Sequence, residues 1–226
     1  MATPRTRGPK AVKVDPRLLL DAAQGVFARD GLQGASMRAI AREAGCDPAL
    51  IYYHFENKEA MFAALLADRL PPLVARLQAL ADAGEARHTA EKLWGVLAIF
   101  HQHFHASAGF RSMVRGEITR GVPGIQELLI QHLTPAQKAI RALILDGIRL
   151  GHLRTDVQPI FLSFFLVRME FEILDLVPTV AAAMAGLDPA QAVPMAERAW
   201  FEVFWRGIAA RPADPLPFLP PPPETP

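Results

Sequence analysis

Cysteine is almost missing from this chain: Cys46 is the only one in 226 residues. A single thiol excludes an internal disulfide and any multi-cysteine metal cage, so the fold must rest on its core. Cys46 itself reads first as a small hydrophobe at a turn. Strand signals are lacking too, since no alternating apolar and polar stretch flanks an Asn-Gly or Asp-Gly turn. Charge-free stretches such as 157–167 and 176–187 fall short of the roughly 18 to 20 residues that cross a bilayer, so no membrane span is expected. The apolar stretch after the basic N-terminus is amphipathic and lacks a small-residue cleavage site, which argues against a secretory signal and for a cytoplasmic location. No nucleophile–base pairing, phosphate loop or paired-carboxylate signature is present, so an enzyme with a helical substrate pocket is the weaker reading, and no cofactor is expected.

Neither sign of charge dominates, with 24 Lys and Arg against 23 Asp and Glu. The distribution is uneven, however. Residues 1–45 hold eight basic side chains (Arg5, Arg7, Lys10, Lys13, Arg17, Arg29, Arg38, Arg42) against four acids (Asp15, Asp21, Asp30, Glu43). That polarity suggests a polyanionic partner at the N-terminal end, although a basic tail kept for solubility is an alternative.

What the chain does have is helix punctuation. Half of its residues are apolar, and they recur at helical spacing, which predicts an all-α fold. Asp15 before Pro16 is a cap with proline at the first helical position, and Gly31 is a C-terminal stop. Ser36 caps a short helix that ends at Gly45, and Asp47 with Pro48 starts another only two residues later. A longer helix followed by two short ones is the tri-helical pattern of a helix-turn-helix, here between about residues 36 and 55.

The residues in that stretch are specific. Ser36-Met37-Arg38-Ala39-Ile40-Ala41-Arg42-Glu43-Ala44-Gly45, followed by Leu50-Ile51-Tyr52-Tyr53-His54-Phe55-Glu56-Asn57-Lys58-Glu59, resembles the N-terminal domain of the TetR family of regulators, strongly over about residues 15–66. The resemblance implies a dimeric, ligand-responsive transcriptional regulator with no enzymatic activity, reading a pseudo-palindromic operator in double-stranded DNA. It implies DNA contacts from Ser36, Met37 and Arg38 at the start of the second helix, and from Pro48, Ala49, Leu50 and Tyr53 on the third. Tyr52, His54 and Lys58 match positions that touch the sugar-phosphate backbone. Tyr52 as a packing residue and Lys58 as a cap or ion-pair partner stay open. Pro48, Ala49 and Leu50 stand where many relatives carry polar readers, so direct readout should be sparse.

Four regions are expected: a basic flexible arm at 1–13, the helix-turn-helix domain at 14–60, a larger helical effector-binding and dimerisation domain at 61–211, and a proline-rich extended or disordered tail at 212–226. Helices are expected at 58–70, kinked at Pro71 and Pro72 and ending near 84, then at 90–107, 110–119, 124–151, 159–177 and 189–210. The last two are apolar nearly all round. By the resemblance they pair with their copies across a two-fold axis, with Phe161, Phe164, Phe171, Trp200, Phe204 and Trp205 at the dimer interface. An effector pocket is expected from Trp94, Phe100, Phe104, Met113 and Phe165, with His101, His105 and Arg168 as polar anchors. Ligand entry would shift helix four, spread the reading heads and release a repressor. An effector-independent protein or an activator remains an alternative. His101, His103 and His105 raise the question of a metal, but with no acid between Trp94 and Arg115 none is expected.

Overall fold

The computed structural model describes residues 15–84 and 87–219; the basic arm and the last residues of the tail lie outside them. Ten helices follow in order among the described residues: α1 Pro16–Gly34, α2 Met37–Glu43, α3 Pro48–His54, α4 Lys58–Arg69, α5 Pro71–Ala81, α6 Thr89–His105, α7 Ala108–Arg120, α8 Pro123–Arg149, α9 Pro159–Ala185 and α10 Pro189–Ile208. The chain divides into two compact units between Leu65 and Leu66, inside α4 and later than the sequence suggested.

The first unit is set by local chemistry. Asp15 accepts from the Arg17 N–H at 3.0 Å and starts α1. Gly31 breaks it with φ 69°, a left-handed value that a Cβ would disfavour. Leu19, Ala23, Val26 and Phe27 are buried on one face of α1. Phe27 meets Phe62 of α4 edge to face at 5.7 Å, a preferred geometry for two rings.

In the second unit α9 packs most extensively on α10, while α5, α6 and α8 pack on one another and α6 and α8 also meet α9. After α8 the chain turns at Gly151, φ 73°. Residues 152–154 then run beside the end of α10, where the Arg154 N–H donates to Ile208 O and the Ala210 N–H to His152 O, both at 2.9 Å. His152 Nδ1 lies 2.9 Å from the Thr89 hydroxyl, joining this turn to α6.

Two expectations are corrected. α9 does not stop before Pro178 but continues to Ala185. Proline removes one backbone donor, and the buried Ile173 and Leu174 in the preceding turn hold the helix through that loss. The tail is not extended where it is described: residues 211–219 form turns, Leu219 is buried, and Phe218 lies 6.4 Å from Phe201.

One glycine in α8 shows how closely the second unit is packed. A Cβ on Gly147 would come 2.6 Å from Thr89 Cγ2 and 2.8 Å from Leu153 Cδ1. Thr89 is buried and tied to His152, so it cannot swing aside. Gly147→Ala should therefore lower stability by about 1 to 2 kcal/mol despite alanine's better helix propensity, read as a reduced denaturation midpoint; an unchanged or raised midpoint would contradict this packing.

Candidate nucleic-acid interface and effector chamber

The candidate reading head is built on two seven-residue helices. Ser36 accepts from the Ala39 N–H at 3.1 Å, fixing the start of α2. Gly45 makes the turn with φ 64°, and the Cys46 N–H reaches back to Ala41 O at 3.0 Å. Asp47 then accepts from the Ala49 N–H at 2.8 Å, with Pro48 at the first position of α3. These caps satisfy donors that a short helix would otherwise leave open.

Ile40, Ala41 and Ile51 are buried where α2 meets α3. Ile51 is the only buried residue of α3. Pro48, Ala49, Tyr52 and Tyr53 are exposed, Tyr53 to 82%. Leu50 is half-buried, as is His54, whose ring stands edge-on to Tyr53 at 5.0 Å. Arg38 and Arg42 are exposed on α2 and make no ion pair with the described residues. An open face with aromatic rings and forked cations suits a polyanionic partner.

Two of the expected DNA contacts are placed differently. Met37 is buried, so its role is to pack α2. Lys58 turns its ammonium to backbone carbonyls, Gln33 O at 3.0 Å and Ala35 O at 3.3 Å, tying α4 to the end of α1. This is a cap on the C-terminal end of α1, whereas the sequence suggested a cap or ion pair at the start of α4.

In the second unit an apolar chamber of about 210 Å³ lies between α6, α7, α8 and α9. Phe100, Phe104 and Arg168 line it as expected, together with Val114, Arg115, Ile118, Leu133, Ala136, Gln137, Ile140, Ser163, Phe164, Val167 and Phe171. A groove of about 310 Å³ shares Ile118, Leu133, Gln137 and Phe164 with it and extends along α8 past Ile130. The polar groups in the wall are already engaged. Gln137 Nε2 donates to Ser163 Oγ at 2.6 Å, and Ser163 donates to Ile160 O at 2.7 Å. Arg115 pairs with Asp175 at 2.9 Å and Arg168 with Glu172 at 2.7 Å. A wall satisfied in this way asks little hydrogen bonding of an occupant and favours an apolar one.

Several assignments are corrected here. Phe165 is 61% exposed and does not line the chamber; its neighbour Phe164, expected at the dimer interface, does. Phe171, also expected there, is buried in the chamber wall. Met113 is buried and does not line the chamber, and Trp94 lies against Phe201 at 5.3 Å. His105 is exposed, stacked on His101 at 5.1 Å. His101 points away from the chamber to Glu197 of α10, and that hydrogen bond, against the opposing effect of burial, raises its pKa. Nearby, burial and then the Glu197 carboxylate push Glu170 up to about 9. Trp205 is core, 2% exposed, edge-on to His88 at 5.6 Å. Trp200 and Phe204 are half-buried and stack on each other at 4.8 Å. The exposed apolar residues of α9 are Ile160, Phe161, Phe164, Phe165, Met169, Leu176 and Val180, with Val203 exposed on α10.

Comparison with known proteins places these features. Residues 19–65 match the model for bacterial regulatory proteins, tetR family. The chain is 23% identical over 159 residues to the HTH-type transcriptional regulator UidR of Escherichia coli, covering 69% of this chain and 78% of that protein. It is 26% identical over 152 residues to the HTH-type transcriptional repressor KstR2 of Rhodococcus jostii, covering 66% and 72%. In fold it is similar to the transcriptional regulator FadR of Bacillus subtilis, solved in complex with stearoyl-CoA, at TM-score 0.69 and 18% identity over 86% of this chain and all of that one.

Burial separates scaffold from surface in the reading head. Met37→Ala should cost about 2 to 4 kcal/mol by opening a cavity under α2. Tyr53→Ala should stay within about 0.5 kcal/mol of the parent. Denaturant melts of both variants check this, and equal losses would contradict the placement.

Proposed function

We propose that this chain, whose residues 19–65 match the model for bacterial regulatory proteins of the tetR family, is a homodimeric transcriptional repressor of that family, released from its operator by an apolar or amphipathic small molecule. The observation that carries this reading is the outward face of α3 with Arg38 beside it, in the segment that matches the family. Pro48, Ala49, Tyr52 and Tyr53 would enter the major groove. Arg38 offers a fork to a guanine edge or a phosphate. A protein that reads DNA works where the chromosome is, in the cytoplasm. No helix among the described residues is long and apolar enough to cross a membrane.

The two-fold partner is a second copy of the chain. The stripe of Phe161, Phe165, Met169, Leu176 and Val180 on α9, with Val203 on α10, would be covered by its own equivalent, since a patch of this kind is more than monomers ordinarily leave to water.

The effector would occupy the chamber and its groove. Their apolar lining and satisfied polar groups favour a hydrocarbon chain, and the structurally similar FadR of Bacillus subtilis was solved with stearoyl-CoA. Arg115 and Arg168 at the rim would meet an acidic head group by exchanging partners with Asp175 and Glu172. Release requires only that the ligand bind the low-affinity form of the dimer better than the DNA-bound form.

Gel shifts with a duplex from the promoter of its own gene test the DNA side. Arg38→Ala with Tyr53→Ala should abolish the shift while sizing chromatography still shows a dimer, and affinity for the parent should fall steeply with salt. Undiminished binding by the double variant, or salt-insensitive binding, would overturn the assignment. On the effector side, a long-chain acyl-CoA should release the parent from DNA. Ala136→Trp, which fills the chamber, should bind DNA normally and ignore the ligand. Release unaffected by Ala136→Trp would remove the chamber from the mechanism, and no release by the parent would favour the effector-independent alternative.

A further inference from the structure

Outside the chamber, three ionisable side chains from three different helices converge. Nδ1 of His101 on α6 is hydrogen-bonded to Oε1 of Glu197 on α10 and lies 3.8 Å from Oε1 of Glu170 on α9. One ligand atom from each of the three lies within 4.8 Å of the others. Glu170 is the informative member. It is only 1% exposed, and neither of its carboxylate oxygens has a hydrogen-bond partner of ordinary geometry, its polar neighbours being the Glu197 carboxylate and His101. A buried carboxyl group without a partner is costly, and native interiors seldom retain one without a reason. Glu197 is also buried, so two acids share a small apolar space with a single imidazole.

We infer that His101, Glu170 and Glu197 form a binding site for a divalent first-row transition cation, with Zn²⁺ the best match. One imidazole nitrogen and two carboxylate oxygens are suitable Zn²⁺ donors. Mg²⁺ and Ca²⁺ favour all-oxygen shells with more ligands than this site offers. Binding displaces the proton that burial and the Glu197 carboxylate keep on Glu170, and the two carboxylates with a neutral imidazole then carry a charge that a divalent ion cancels. Ligand atoms of a tetrahedral Zn²⁺ site stand roughly 3.3 Å apart, close to the His101–Glu170 separation. The ion takes the place of the proton between His101 and Glu197 and satisfies the oxygens of Glu170. Three protein ligands leave a fourth position for water or another donor. A route in exists, because His101 and Glu197 both border an open cleft of about 210 Å³ beside Trp94, Gln102 and Pro194.

The site joins α6, α9 and α10 at one point, and two of its ligands are sequence neighbours of the chamber walls. Phe100 precedes His101, and Phe171 follows Glu170. A bound ion holds those two rings in a fixed relation. The acids lie 69 and 96 positions further along the chain than His101, so the spacing of residues on the histidine helix carries no sign of them.

The full-length protein, stripped with EDTA and dialysed, tests this by calorimetric titration with ZnCl₂ and by the visible bands of Co²⁺. One ion per chain is expected at micromolar affinity or better. Zn²⁺ at about 100-fold over its Kd should raise the melting midpoint by roughly 5 to 10 °C. Glu170→Gln, nearly isosteric, should weaken uptake at least 100-fold and remove the Zn²⁺-dependent rise. If that variant does not fold, His101→Asn, altered at a half-exposed position, should give the same loss. Absence of saturable uptake by the parent, or uptake undiminished in the variants, would overturn the site, the latter pointing to surface histidines. None of these readouts depends on operator or effector binding.

Discussion

The reading head depends on the packing of α3 on α2, where Ile51, the only buried residue of α3, is shielded from water along with Ile40 and Ala41 of α2. A helix of seven residues has too few intrahelical hydrogen bonds to persist alone. It exists because Asp47 caps it, Pro48 presets its first turn, and Ile51 anchors it. With only one residue directed inward, the remaining surface of α3 has to be solvated or bound. That constraint turns a structural element into a reading surface: Tyr53 is held outward by a scaffold to which it contributes little.

The same separation of scaffold from surface explains the neighbouring residues. Met37 and Lys58 lie within the motif yet serve the fold, one by packing beneath α2 and the other by collecting the carbonyls of Gln33 and Ala35. Ser36 and Arg38 flank Met37 and are exposed. Adjacent positions on a short helix therefore divide between buried support and exposed surface, and a motif match alone does not divide them.

Local features were legible in the sequence because local chemistry makes them. The caps at Asp15, Ser36 and Asp47 and the left-handed glycines at 31 and 45 stand where side-chain acceptors and absent Cβ atoms required them. The second unit was harder to read. α9 carries apolar residues on nearly every side, so its periodicity cannot say which face meets the chamber and which meets a partner. Phe164 and Phe165 are one residue apart, about 100° around the helix, and both are largely exposed, but only Phe164 also reaches the chamber. Trp205 looked like an interface residue because tryptophan is large and apolar, but those properties equally suit the centre of a core. The meeting of His101 with Glu170 and Glu197 was beyond reach for a different reason: it depends on how three helices pack, and no spacing within one helix encodes it.

The central claim is that two copies of α3 read DNA together, and footprinting of the purified protein on the promoter of its own gene, with the stoichiometry of the complex measured by sedimentation, tests it most directly. The account predicts an even number of chains per duplex and protected major-groove segments centred about one helical turn apart, roughly 10 base pairs, within an inverted repeat. A single chain bound to an isolated protected segment, or protection that follows no sequence, would contradict it.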